Sequence, residues 1–407
     1  MKLKMNNIFL IKDCYGCGVC ATICPPKIID IELNPEGFYE PRIKDTARCT
    51  ECGLCLSVCS FVDKEVALKA NDIEYYAAWS KDNAVRRKCS SGGIGFEIGK
   101  YLINQGYKAC GVRYDCEANR AEHYMADTVE AYIPSIGSKY IQSYTVSGFK
   151  ELNRKDKFLV TGTPCQIDSM RRYIRKLRIE DHFVLMDFFC HGVPSMWVWK
   201  QYVKEVEKLT GKLTYVSWRN KQTGWHDSWS MGIEGEQGGE KINWHDSYAM
   251  LMREKKSYHY FSRLSTGDLF YQFFLGNACL GKACYKNCKY KMSSSSADIR
   301  IGDLWGKAYK DNEDGVSAVL ALTEKGKDLI KEMQEYCVFE KRTAEVVMEG
   351  QMRKSPPMPY VRKRIIEQLR EGKSLFHISK TTVRLYKIAC LPKRVINKII
   401  RIIKWER

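Results

Sequence analysis

The sequence predicts three parts: a small α+β module pinned by cysteines, an α/β body, and a helical, basic tail. Three observations predict it. Two runs of four cysteines stand near the start, two strand–loop–helix units follow one another in the middle, and residues 353–407 carry sixteen Lys and Arg against three acids. At 407 residues the chain also exceeds one ordinary domain of about 150 residues.

Cys14, Cys17 and Cys20 are followed by Cys24-Pro25, and Cys49, Cys52 and Cys55 are followed by Cys59. Three thiols two residues apart, with a fourth three residues further on, is the bacterial ferredoxin pattern for 4Fe-4S clusters. The first three can cap one cube on a glycine-permitted loop, while the fourth is thrown too far round and serves the neighbouring cluster. Two clusters are therefore expected, one on Cys14, Cys17, Cys20 and Cys59, the other on Cys49, Cys52, Cys55 and Cys24. Zinc sites use two Cys-x-x-Cys pairs rather than two runs of four. Residues 1–66 read as this α+β ferredoxin-like module, with 28–33 and 37–43 forming a hairpin across Asn34-Pro35-Glu36-Gly37. Because all eight thiols lie inside it, the module is expected to be separable.

Eighteen cysteines with no apolar leader ahead of them point to a reducing, cytoplasmic compartment. No run reaches the eighteen apolar residues of a membrane-spanning helix. The net charge of +18 is mostly local: residues 353–407 supply +13, and the rest only +5. That remainder is too small for a nucleic-acid groove.

The body follows in order. A short helical stretch at 63–71 leads to a strand at 75–79. Lys88-Cys89-Ser90-Ser91-Gly92-Gly93 then precedes a helix over 94–105, and a strand follows at 109–113. Hydroxyls and glycine amides at a helix start suit a cofactor phosphate, though plain N-capping explains them too. Residues 137–143 form a polar loop rich in donors. The strand at 158–160 runs into Thr161-Gly162-Thr163-Pro164-Cys165-Gln166, with Pro164 suited to the first helical position and Cys165 at a helix end that lowers a thiol pKa. Likewise the apolar strand at 183–189 ends in Cys190-His191-Gly192-Val193-Pro194-Ser195 before a helix over 196–209. Both loops open at the carboxyl ends of strands, where open α/β sheets build their sites.

Residues 214–250 carry Trp218, Trp225, Trp229 and Trp244 and read as hairpins or an aromatic flap. Cys279, Cys284 and Cys288 form a third thiol group, and with Cys190 or Cys165 as fourth ligand they suit a third 4Fe-4S cluster, or zinc. A serine linker at 293–296, a strand at 298–306 bearing Asp303, a strand at 316–322 and a helix at 324–336 complete the body. In the tail, Val395, Ile399, Ile402 and Ile403 share a helical face with Arg394, Lys398, Arg401 and Lys404 around it. That pattern fits a helix lying on an anionic membrane surface, or one docked on protein. The tail is expected to be dispensable beyond Pro359.

Cys-Ser-Ser-Gly-Gly at 89–93, Gly-Ser-Lys-Tyr at 137–140, Thr-Gly-Thr-Pro-Cys-Gln at 161–166, Cys-His-Gly-Val-Pro-Ser at 190–195 and Gly-Asp-Leu-Trp-Gly at 302–306 together resemble the coenzyme F420 hydrogenase/dehydrogenase beta-subunit family. The resemblance spans residues 75–340, and divides the chain into 1–66, 72–150, 151–345 and 346–407. It implies a flavin, FAD or FMN, beside a 4Fe-4S cluster, and an oxidoreductase that couples the two. Carried over, Ser90, Ser91, Gly92, Gly93, Ser138, Lys139 and Tyr140 become flavin-site candidates, Thr163 and Gln166 line the ring, and Cys165, Cys190, Cys279, Cys284 and Cys288 surround the inner cluster. His191 and Asp303 are candidates for placing a proton. The implied partners are a ferredoxin or similar donor and a small organic substrate. The alternative is an electron-transfer subunit for a partner enzyme, with polysaccharide biosynthesis as a setting that the resemblance implies. No motif selects F420 itself.

Overall fold

Two glycines shape the N-terminal module. In the computed structural model, which describes residues 7–238, 258–286 and 288–390, Gly16 and Gly18 have φ of 64° and 76°, a region open chiefly to glycine. Space forbids side chains there as well. A Cβ on Gly16 would stand 2.2 Å from the Tyr39 carbonyl oxygen, and one on Gly18 1.9 Å from Thr145 Oγ1. Gly18 opens the short helix Val19–Ile23, and Gly53 opens its counterpart Leu54–Ser57. Between them β1 (Ile29–Leu33) and β2 (Tyr39–Ile43) pair antiparallel, Ile29 opposite Ile43, as the expected hairpin.

The body contains β3 (Glu74–Ser80), β4 (Tyr107–Asp115), β5 (Arg120–Ala126), β6 (Lys157–Thr161), β7 (Phe183–Phe188), β8 (Leu213–Ser217), β9 (Ser230–Gly235), β10 (Tyr260–Arg263), β11 (Ile299–Asp303), β12 (Ser317–Ala321) and β13 (Cys337–Lys341). Eight of them form one mixed sheet in the order β13-β3-β12-β11-β7-β6-β4-β5, and β10-β9-β8 form a second. The centre, β4, β6, β7 and β11, is parallel. Parallel strands are covered on both faces, which is why residues 158–160 and 183–186 are continuous apolar runs, all buried. The one break, Asp187, is fully buried and gripped by Arg300 on β11 through Nε and Nη2, both at 2.7 Å.

Four expectations need correction. Residues 63–71 form no helix, because their polar groups bond to the body instead: Ala67 N–H to Asp168 Oδ1, Leu68 N–H to Ser296 Oγ, and the Glu65 carbonyl to Lys289 Nζ. The serines at 293–296 are no linker, since Ser295 and Ser296 are buried and bond Asp187 and Asp168. The module is built into the body: Val19, Ile23 and Val58 share an apolar cluster with Phe158 and Ile167. Gln142 bonds Tyr39 N–H at 2.7 Å and the Tyr15 carbonyl at 3.1 Å, and Lys282 pairs with Asp13 and Glu36. A segment whose apolar face is completed by another part of the chain is not independent of it.

The start of the tail is likewise core. Ile365, Ile366 and Leu369 on the helix Arg362–Arg370, then Leu375, Ile378 and Val383, are buried with Trp199, Trp218 and Phe270. Arg362, 3% exposed, donates from Nε to the Leu280 carbonyl and pairs with Glu36. Cleavage after Pro359 would therefore open the core. Trp244 and the face at 394–404 lie outside the described residues. Among the described residues no helix is long and apolar enough to cross a membrane.

Candidate functional site

The thiols of the chain fall into three neighbourhoods. Cys14, Cys17, Cys20 and Cys59 line one small cavity with Ile8, Ile11 and Pro41, so the fourth thiol of the second run joins the first three of the first. Burial and mutual proximity raise their pKa values, Cys17 to about 11. Cys55 has Cys24 and Cys52 as neighbours, Asn7 Nδ2 approaches Cys49 Sγ at 3.6 Å, and Cys52 is exposed. Buried thiols that raise one another's pKa resist ionisation until a cation joins them, which is the donor chemistry of a metal site. Among the described residues no three His, Cys, Asp or Glu side chains converge as they would around a single ion.

The third neighbourhood differs from the expected one. Cys165 has Cys190 and Cys284 beside it, and Cys190 has Cys284 and Cys288. Both loop cysteines are present, not one of the two. Cys279 is absent from the group: fully buried among Phe270, Phe273 and Phe274, it has Arg362 and the Ser195 backbone as neighbours. Burial raises the Cys165 pKa well above an ordinary thiol and outweighs the helix-end effect expected for it, although Thr163 Oγ1 lies at 3.2 Å. Cys17 is also a neighbour of Cys165, and Tyr15, packed edge-on to Phe61 and Tyr290, sits near Cys165, Cys284 and Cys288. The three groups thus follow one another inward from exposed Cys52.

Next to the inner thiols lies a cavity of about 450 Å³, within the size range of cofactor sites. Segments from all five singled-out motifs line it, including Ser90, Ser91, Gly93, Ser138, Lys139, Tyr140, Thr163, Gln166, Cys190, His191 and Asp303. Gly92 itself is pressed against the sheet, where a Cβ would meet the Ala78 carbonyl oxygen at 2.3 Å. Gly93, at φ 91°, opens the eleven-residue helix Ile94–Asn104 onto the cavity. Ser90 Oγ accepts from Ser138 N–H at 3.0 Å and joins the two loops.

Several side chains take roles other than those expected. Lys139 Nζ donates to the carbonyls of Pro134, Ser135 and Ile136, each at 2.9 Å, and burial lowers its pKa to about 7. It braces its own loop rather than presenting an ammonium to a phosphate. Thr163 and Gln166 close a capping box: Gln166 Oε1 accepts from Thr163 N–H at 2.8 Å, and its Nε2 donates to Ser143 Oγ. They shape the rim as well as line it. Asp303 accepts from Arg219 Nη1 at 2.5 Å and from Trp225 Nε1 at 3.1 Å, which fixes the position of its carboxyl group. Burial lowers the His191 pKa; its Nε2 is buried with no hydrogen-bond partner among the described residues, and its ring meets Phe274 edge-on.

One feature joins Tyr140 and Trp305, from two of the motifs, to residues outside any motif. Phe274, Tyr140 and Trp229 stack at 5.2 and 4.9 Å, the Arg219 guanidinium lies 5.0 Å from both Trp229 and Trp305, and Trp305 stacks on Trp225 at 4.9 Å. Aromatic and cation–π contacts thus run without a break along one wall. Only the tryptophan density at 218–229 could have signalled it.

Comparison with known proteins identifies two of these parts. Residues 155–346 match the family described as the C terminus of the coenzyme F420 hydrogenase/dehydrogenase beta subunit, and residues 13–61 match the 4Fe-4S dicluster domain. The coenzyme F420-dependent sulfite reductase of Methanocaldococcus jannaschii is 25% identical over 175 residues, 42% of this chain and 26% of that protein. The chain therefore spans about a quarter of that relative's length. A solved structure, the F420-reducing NiFe hydrogenase complex from Methanosarcina barkeri, overlaps 74% of this chain and 89% of its own with 18% identity and a TM-score of 0.43. The N-terminal module is thus similar to the 4Fe-4S dicluster domain, and residues 155–346, just under half of the chain, are similar to the C terminus of the coenzyme F420 hydrogenase/dehydrogenase beta subunit.

Proposed function

We propose that the chain is an iron–sulfur flavoprotein oxidoreductase that exchanges electrons with a small redox protein and reduces or oxidises an organic molecule in the main cavity. The observation that carries this reading is adjacency: the cavity built from all five motifs also includes Cys190, a member of the inner thiol group, which in turn neighbours Cys17 of the module. In this reading Cys14, Cys17, Cys20 and Cys59 hold one 4Fe-4S cluster, Cys24, Cys49, Cys52 and Cys55 a second, and Cys165, Cys190, Cys284 and Cys288 a third. Exposed Cys52 marks the end where a ferredoxin or similar donor meets the chain.

The cavity fits a flavin, FAD or FMN, by its size, by the glycine-opened helix that can face a phosphate, and by the stacked wall that suits a flat ring. A flavin held there supplies the exchange between two-electron chemistry at an organic substrate and one-electron chemistry at the clusters. The chain's own residues do the rest. Ser90 and Ser138 tie the two loops at the helix start, and Asp303, fixed by Arg219, offers a stationary acceptor. His191, with Nε2 buried and unpartnered among the described residues, is the group placed to give or take a proton. Phe376, Leu385 and Ile388 are exposed on a segment that also carries Lys380 and Lys387, and we assign this segment, with the basic tail that follows it, to a partner or an anionic membrane at the cytoplasmic side.

Anaerobic purification with iron, acid-labile sulfide and flavin quantified together tests the reading. The expected result is iron and sulfide for three 4Fe-4S clusters with one flavin per chain. Iron without flavin would refute it.

A further inference from the structure

One turn of helix joins the inner thiol group to the N-terminal module. Cys165 and Ser169 stand four residues apart on the helix Pro164–Leu177, a rise of about 6 Å. Cys165 belongs to the inner group, with Cys190 and Cys284 as neighbours. Ser169 is fully buried, and its Oγ lies 3.2 Å from the Sγ of Cys17 in the module. The helix therefore meets one thiol group at Cys165 and the next at Ser169.

A buried helical serine ordinarily returns its hydroxyl to the carbonyl four residues back. Here that carbonyl belongs to Cys165 and receives the Ser60 hydroxyl instead, at 3.1 Å. Ser60, directly after Cys59, also donates its backbone N–H to Ser169 Oγ at 3.2 Å. The Ser169 hydroxyl is left with one proton and two acceptors, Ser60 Oγ at 2.8 Å and Cys17 Sγ at 3.2 Å. A free thiol at Cys17 can give its own proton to Ser169. A thiolate bound to iron has none to give, and as a charged acceptor it outcompetes the neutral Ser60 hydroxyl. Gly16 N–H, by contrast, reaches Cys14 Sγ at 3.3 Å from within the module's own loop.

We propose that Ser169 is a positioning residue for electron transfer: its hydroxyl donates a hydrogen bond to Cys17 Sγ and raises the reduction potential of the 4Fe-4S cluster held by Cys14, Cys17, Cys20 and Cys59. The inference rests on that cluster's place in the function proposed above. An added electron makes the sulfur a stronger acceptor, so the bond favours the reduced form, and hydrogen bonds to sulfur are among the features that set such potentials. One electron arrives from the small redox protein and one leaves toward the inner group, while the proton stays on Ser169 Oγ throughout. A module cluster is thereby tuned by the helix that also carries a ligand of the inner group, so the electron is held where the next step inward begins.

Potentiometric titration of the full-length, anaerobically purified holoprotein, followed by EPR with iron, sulfide and flavin measured on each sample, tests the proposal. In Ser169→Ala the midpoint of one cluster should move to more negative potential with iron content unchanged, by up to about tenfold in its reduced-to-oxidised ratio at fixed potential, or about 59 mV. The cluster that moves should be the one that Cys14→Ser disrupts. Ser60→Ala breaks the same seam but leaves the Ser169 hydroxyl with Cys17 Sγ as its one remaining acceptor, so that midpoint should stay or rise. Unchanged or raised midpoints in Ser169→Ala, loss of the cluster there, a shift in the other module cluster, or equal negative shifts in both variants would overturn the tuning role, and each leaves the flavoprotein reading standing. Iron without flavin in wild type overturns that reading and leaves the hydrogen bond to be judged by the same midpoints. Wild type without the module clusters overturns both.

Discussion

Replacing Arg219 with methionine tests whether the cavity wall hangs on one buried ion pair. The side chain is fully buried, bonds Asp303 Oδ2 and Ser228, and lies 5.0 Å from the ring centres of Trp229 and Trp305. Removing it strands the Asp303 carboxylate, and breaking a buried pair from one side costs about 3–5 kcal/mol. Asp303 keeps 18% exposure and the Trp225 N–H, so the lower end, about 3 kcal/mol, applies. Two cation–π faces add about 0.5–1 kcal/mol each, for about 4–5 kcal/mol in all. Asp303→Leu leaves the fully buried guanidinium alone and should cost about 5 kcal/mol. The double variant removes both charges, so it should be more stable than the sum of the singles by about 2–3 kcal/mol. Urea midpoints of the three variants and wild type, followed by tryptophan fluorescence under anaerobic conditions, give the comparison. Strict additivity in the double variant would refute the coupled-pair account.

Gly93→Val places a β-branched residue at φ 91°, which costs about 1–2 kcal/mol locally; flavin per chain should fall while iron stays constant, as read by absorbance and iron assay. Burial lowers the His123 pKa to about 4 from 6.5. The unfolded chain binds the extra proton between those values, so stability is complete above pH 6.5 and falls by about 3 kcal/mol as pH drops to 4. His123→Gln should flatten that part of the urea-midpoint profile, and an unchanged slope would count against the burial argument. Truncation after Pro359 should give insoluble protein, since it removes six buried apolar side chains worth about 1.5–3 kcal/mol each and uncovers the core they pack on, including Trp199, Trp218 and Phe270. Truncation after Cys390 should keep clusters and flavin and lose only salt-sensitive binding to anionic liposomes in a sedimentation assay.

What was legible in the sequence was whatever local spacing dictates. The two cysteine runs fix their own loops, and Pro164 after Thr163 marks a helix start whichever sheet it joins. The apolar strands β6 and β7 announced a parallel centre. Strands β5 and β13 were missed because their charged residues pair sideways: Glu122 sits between Arg113 and Arg120, and Glu340 bonds Tyr309 and Arg342. Such residues read as loop until their partners are known. Residues 63–71 read as helix because local pattern cannot show that Asp168 and Lys289 take their backbone groups. Within the site, chain proximity misled for Cys279, which looked like a partner of Cys284 and Cys288 but faces the apolar core. Trp229 and Lys291 carry no motif; only the topology brings them to the cavity, with Arg219 packed on Trp229 and Trp305.

The central claim is that Cys165, Cys190, Cys284 and Cys288 hold one cluster that Cys279 does not touch. Iron counting with Mössbauer and EPR spectroscopy on single Cys→Ser variants tests it most directly. Cys165→Ser, Cys190→Ser, Cys284→Ser and Cys288→Ser should each lose or convert the same cluster, with the dicluster signals of the N-terminal module unchanged, and Cys279→Ser should match wild type. Loss of a cluster in Cys279→Ser, or full wild-type iron and spectra in Cys165→Ser, would contradict the account.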